Sequence, residues 1–145
     1  MTKIFISYSS KNQVLLNHLR TFFEQNKKFA LTIVPEQNMN LTPSSEKVKK
    51  GLDSSNIFVA ILTKEALNTQ WVNQEIGYWY AKHNQPRRMY FLVEKKAMPK
   101  LNGFISKDMD MPYRFSSEDS FKVALENLHK DLVKNHPTYG MHHIW

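Results

Sequence analysis

Trp71 and Glu75, four residues apart, hold the most suggestive chemistry in this 145-residue chain. At about 100° per residue on a helix, the two side chains project from nearly the same side, an indole beside a carboxylate. That pair suits a developing cation on a sugar. Cleaving a glycosidic bond develops oxocarbenium character; a nearby negative charge lowers that barrier, and an aromatic face orients the departing ring. Spacing alone leaves a second reading open, in which Glu75 is a solvated helix glutamate and Trp71 a core residue.

Ser9-Ser10-Lys11 is the next candidate, because hydroxyls and backbone N–H groups at the start of a helix can hold a phosphate. The same residues serve equally as ordinary helix caps. Other chemistries lack their residues. The four glycines stand at 51, 77, 103 and 140, so neither a G-x-G-x-x-G dinucleotide turn nor a G-x-x-x-x-G-K-[ST] phosphate loop can be written. There is no cysteine, which excludes disulfides, thiolate metal sites and thiol nucleophiles. The six histidines show no H-E-x-x-H or other tight ligand spacing, and no metal site is expected. No Gly-x-Ser-x-Gly elbow accompanies the serines.

Alternating strands and helices must position these residues. Lys3-Ile-Phe-Ile-Ser-Tyr8 reads as a strand feeding a helix over 13–26, with Leu15, Leu19, Phe22 and Phe23 at helical spacing. Residues 29–34 form a second strand halted by Pro35. Residues 36–42 read as a loop, and Pro43 suits the first turn of a helix through about Asp53, with Val48 and Leu52 inward. The six apolar residues Ile57 to Leu62 fit a strand covered on both faces at the centre of a parallel sheet. A helical stretch over 64–83, broken near Asn68-Thr69, puts Val72, Ile76 and Tyr80 on one face and Trp71, Glu75 and Trp79 on an adjacent one. Residues 88–93 make a fourth strand and 111–115 a short edge strand with its proline. A last helix over 118–134 buries Phe121, Leu125, Leu128 and Leu132. This order specifies a doubly wound α/β sheet, whose ligand crevice lies beyond the carboxyl ends of the strands: Tyr8-Ser9-Ser10, Val34-Pro35-Glu36, Thr63 and Glu94.

Charge asks for a partner. Twenty Lys and Arg against thirteen Asp and Glu give +7, the balance expected of a protein that meets a polyanion or a phosphate-bearing ligand. Residues 1–100 carry 15 basic and 7 acidic side chains, net +8, whereas 101–145 carry 5 and 6, so the excess belongs to the body of the fold. Its clusters, Lys47/Lys49/Lys50, Arg87-Arg88 and Lys95-Lys96, are short and separate, which fits solvated faces and strand ends. No groove-reading element accompanies them, and no nucleic-acid partner is expected. A mean hydropathy of −0.52 and an apolar run of only six residues leave no membrane span. Met1-Thr2-Lys3 passes through Ile4-Phe5-Ile6 to Ser7, too short for a secretory signal, and a cytoplasmic location is expected.

Three separated motifs resemble one family. Lys3-Ile-Phe-Ile-Ser-Tyr-Ser-Ser-Lys-Asn12 is similar to the first box of Toll/interleukin-receptor (TIR) domains. Asn56-Ile-Phe-Val-Ala-Ile-Leu-Thr63 and Trp71-Val-Asn-Gln-Glu75 resemble the central strand and the W-x-x-x-E helix of that family, in the same order and spacing. The resemblance implies a flavodoxin-like α/β fold of five mostly parallel strands with helices on both faces, a single domain over 1–135 and a tail over 136–145.

It also implies one of two trades. Many bacterial and plant members cleave NAD⁺ between nicotinamide and ribose, releasing ADP-ribose or cyclic forms; bacterial stand-alone members of the Thoeris-like kind serve anti-phage defence, passing the product to a separate effector protein. Others are adaptors that act by TIR–TIR association. The glutamate of the W-x-x-x-E helix is essential in the catalytic members and corresponds to Glu75 here, with NAD⁺ as substrate and no cofactor. By the same resemblance Tyr8, Ser9 and Ser10 line the nucleotide pocket and Trp71 shapes it. The segment over 35–43, with Leu41 and Pro43, matches the one that covers the substrate and contacts a neighbouring subunit. Two departures are visible: Leu41-Thr42-Pro43 stands where many members carry a glycine, and no arginine follows Tyr8.

Overall fold

The computed structural model describes residues 1–34, 41–68, 70–83, 88–101 and 113–137. Five strands form one sheet: β1 (Thr2–Ser7), β2 (Phe29–Thr32), β3 (Ile57–Leu62), β4 (Met89–Glu94) and β5 (Tyr113–Phe115). Their spatial order is β2-β1-β3-β4-β5, and all four pairings are parallel. This is the flavodoxin-like doubly wound order. Parallel pairing requires crossover connections, which α1 (Gln13–Gln25), α2 (Leu41–Ser54), α3 (Lys64–Leu67) and α4 (Gln70–His83) belong to, while α5 (Glu118–Asn135) follows the last strand. As its unbroken apolar run predicts, β3 lies at the centre, every residue buried.

The sheet divides the core in two. Ile4, Ile6 and Tyr8 of β1 and its end join Leu16, Leu19 and Phe23 of α1 and Phe121, Leu125, Leu128 and Leu132 of α5 on one side. Phe5 joins Val48 and Leu52 of α2 and Val72, Ile76 and Trp79 of α4 on the other. The split follows from the two-residue period of a strand. Helix α2 approaches closely: a Cβ on Gly51 would stand 3.0 Å from both the Phe5 ring and Thr32.

Several boundaries differ from expectation. On α1 it is Leu16 that is fully buried with Leu19 and Phe23, whereas Leu15 and Phe22 only border the core. Helix α2 begins at Leu41, inside the segment read as a loop, and Pro43 is its third residue; a proline is tolerated there because the first-turn N–H groups have no partner within the helix. The break between α3 and α4 falls as predicted, with Thr63 capping α3 by accepting from the Ala66 amide at 3.0 Å. The basic pair Lys95-Lys96 opens a 3₁₀ helix, Lys95–Lys100. Strand β5 lies at an edge as expected; Met111 and Pro112, also assigned to it, fall outside the described residues, as does the tail from 138. Among the described residues no helix is long and apolar enough to cross a membrane.

Candidate functional site

Ser7 ends β1 on the face opposite Ile6, so its side chain meets α4. There its hydroxyl donates to Glu75 Oε1 at 2.6 Å. Ser7 is fully buried and Glu75 is 5% exposed. The helix forces this contact. Val72, Ile76 and Trp79 anchor one stripe of α4 in the core, and Glu75 lies within that stripe. The solvated reading of Glu75 is therefore overturned: its carboxylate sits in the protein, where a charge needs hydrogen-bond partners.

Glu75 lines a cleft of about 160 Å³ between α2 and α4, with Val48, Lys49, Leu52, Trp71, Gln74 and Tyr78. At roughly 30 Å³ per water, that space equals about five waters, enough for one ring-sized group. The half-buried Trp71 borders it one turn before Glu75. The two walls are joined where the Tyr78 hydroxyl donates to Asp53 of α2 at 2.9 Å. That hydrogen bond to the Asp53 carboxylate, with lesser contributions from burial and charge, holds the Tyr78 phenol above its usual range. The cleft thus combines one buried carboxylate, the aromatic rings of Trp71 and Tyr78 and the exposed amine-bearing Lys49 at its side.

The other expected residues distribute unevenly. Tyr8 belongs to the opposite core, and its hydroxyl donates to the Val34 carbonyl at 3.3 Å, so it does not share the cleft with Glu75. Its place follows from strand alternation, which puts it with Ile4 and Ile6. Ser9 is buried and accepts from the Lys11 amide at 3.3 Å, capping the 3₁₀ turn Ser10–Asn12, the capping role that competed with phosphate binding. Ser10 is exposed at the start of that turn. Asn12 reaches across the sheet end instead of capping α1: Thr63 donates to its Oδ1 at 2.8 Å, tying the end of β1 to the end of β3. Leu41 and Pro43 open α2, whose middle walls the cleft; their side chains lie outside the described residues. Thr63 and Glu94, two of the expected crevice ends, both serve α3, Glu94 by accepting from the Lys64 amide at 3.0 Å.

Ser7 is the site residue that the motif reading left out. A serine on a core-facing position of a buried strand needs a buried partner, and that requirement is visible in the sequence. The walls Val48, Lys49 and Leu52 required the packing of α2 on α4. Among the described residues no group of three or more His, Asp or Glu is placed to hold a metal. A larger open depression of about 830 Å³ runs along the β2 edge, past Met1, Arg20, Glu24, Lys27 and Leu31. None of its charged residues is buried, so it holds no counterpart of the buried Glu75 carboxylate.

A family model described as TIR domain matches residues 4–128. No curated protein matches the chain. Among solved structures it is similar to the TIR domains of the activated Roq1 resistosome directly recognizing the pathogen effector XopQ, with a TM-score of 0.55 and 13% identity over 94% of this chain and 75% of that one. At that identity the likeness is one of fold. The family model spans both faces of the sheet and the Ser7–Glu75 pair, and the chain belongs to the TIR domain family.

Proposed function

We propose that this TIR domain cleaves NAD⁺ at the nicotinamide–ribose bond, giving ADP-ribose or a cyclic ADP-ribose-type product, as a cytoplasmic signal-producing enzyme of bacterial anti-phage defence. The observation that carries the proposal is the Glu75 carboxylate, buried beside Trp71 in the cleft between α2 and α4 and held by Ser7. A carboxylate there is costly to bury, and a fold retains it where it serves chemistry.

In the reaction, the electron pair of the glycosidic bond leaves with nicotinamide, which departs neutral. The ribose carbon is left with oxocarbenium character. Glu75 stabilises that charge and accepts hydrogen bonds from the ribose hydroxyls, while Trp71 orients the ring. Water then attacks the carbon and loses a proton, giving ADP-ribose; attack by the adenine or a ribose hydroxyl of the same molecule gives a cyclic product. Because the cleft takes one ring-sized group, the diphosphate and adenosine of NAD⁺ extend beyond it, towards the strand end with Ser9 and Ser10 and the start of α2 with Leu41 and Pro43. The product is released to a separate effector protein.

A second reading, a non-enzymatic scaffold, draws on Val14 and Val123, apolar yet more than half exposed on α1 and α5, two helices that pack together. Association of TIR domains through these helix faces is the scaffold's mode of action, and it is compatible with catalysis. Incubating concentrated protein with NAD⁺ and separating the products by chromatography distinguishes the readings. Nicotinamide release that disappears in Glu75→Gln supports the enzyme; no NAD⁺ consumption by the wild type at any concentration supports the scaffold.

A further inference from the structure

We propose that Ser7 is a positioning residue for the Glu75 carboxylate, fixing its orientation toward the cleft through the 2.6 Å hydrogen bond between Ser7 Oγ and Glu75 Oε1. The inference rests on the catalytic reading above for its functional meaning, but the contact stands on geometry alone.

Three observations carry it. Ser7 has no exposed surface, so it cannot itself reach a substrate. Its backbone is fixed by the central pairing of the sheet, Ser7 against Ala60, in the most buried part of the fold. A glutamate side chain has three rotatable bonds, whereas a hydroxyl mounted on a strand has one. The hydrogen bond therefore transfers the rigidity of β1 to a flexible carboxylate on α4. A donor to the carboxylate also favours its charged form. Among the described residues, the other titratable groups lining the cleft are Lys49 and Tyr78, and Tyr78 donates to Asp53. A polar residue on β1 at that position is otherwise hard to account for, since Phe5, two residues earlier on the same face, packs in the apolar core. Orientation at this level governs turnover more than binding, because misplacing a catalytic group by about 1 Å costs up to roughly 100-fold in rate.

The test compares the wild type with Ser7→Ala and Ser7→Thr in the full chain, by two readouts. In steady-state NAD⁺ cleavage, Ser7→Ala is expected to lower kcat about tenfold or more with KM changed less than twofold. Its acid limb should move to higher pH, and Ser7→Thr, which keeps the hydroxyl, should recover most of the loss. In carbon-13 NMR of labelled glutamate side chains, the Glu75 carboxyl resonance should titrate at higher pH in Ser7→Ala than in the wild type. The NMR readout does not depend on catalysis. If the wild type cleaves no NAD⁺, the catalytic reading falls, and an upward NMR shift still supports Ser7 as the group that sets the carboxylate. An unchanged Glu75 titration in folded Ser7→Ala overturns the inference. So does a kcat equal to that of an active wild type.

Discussion

The same five strands present two unlike faces. Against α1 and α5 the sheet builds an aromatic core: Phe115 meets Phe121 edge-on at 4.9 Å, and Phe22, Phe23 and Phe29 surround His129. Its polar groups serve as fasteners. Tyr113 donates to Asp131 of α5, Tyr90 pairs with His136 at 2.8 Å, and Ser117 and Ser120 form a reciprocal cap at the start of α5. Against α2 and α4 the core holds Phe58 and Trp79 but also admits a carboxylate and a cleft. Both faces hold the fold, but only the second accepts a buried carboxylate that is costly to keep, the division expected of the proposed enzyme where stability and activity compete.

That contrast can be broken by moving damage from one face to the other. A large stability effect with no loss of turnover belongs to the first face. Phe121→Ala removes a fully buried ring and is expected to cost about 3–5 kcal/mol in urea unfolding, while the folded fraction keeps its NAD⁺ turnover. The converse is Trp71→Ala. Its ring is only half-buried, so the stability loss stays under about 2 kcal/mol while nicotinamide release falls roughly tenfold or more. A Trp71→Ala protein with wild-type turnover would place the chemistry elsewhere.

Smaller effects sharpen the comparison. Ser117→Ala removes the side-chain cap of α5 and should cost about 1 kcal/mol, measured as a lower urea midpoint with unchanged turnover. The smallest is a pH dependence. Burial, with Lys28 nearby, lowers the His129 pKa below 6.5, and burial, with Arg88, lowers that of His136. Both are neutral in the fold, so the unfolded chain takes up protons first as pH falls. Their contribution is complete above about pH 6.5 and is lost as pH falls through their lowered folded values. Urea unfolding at pH 7.5 and 5.5 should show a drop that His129→Gln reduces.

Much of this architecture is written in local pattern. The unbroken run Ile57 to Leu62 announces a strand covered on both sides, and the Phe121, Leu125, Leu128 and Leu132 stripe announces α5. The Trp71–Glu75 spacing brings those two side chains to one cleft, as helix geometry demands. What stayed hidden depended on which way a strand faces. Ile4, Phe5 and Ile6 are apolar on both sides, so β1 carries no sign of its phase; Tyr8 went to the α1 and α5 core, and Ser7 met Glu75. The burial of Glu75 was hidden for a related reason: it is produced by α2 packing across α4, a long-range contact that no helical period encodes. The start of α2 at Leu41 was obscured by Pro43, which reads as a helix start although a first turn tolerates it at the third position.

Nicotinamide release by Glu75→Gln tests the central claim most directly, because glutamine keeps the shape and an oxygen for the Ser7 hydroxyl but removes the charge. The variant should melt within a few degrees of the wild type and release nicotinamide from NAD⁺ at least about 100-fold more slowly. Release at the wild-type rate by the folded variant would contradict the account.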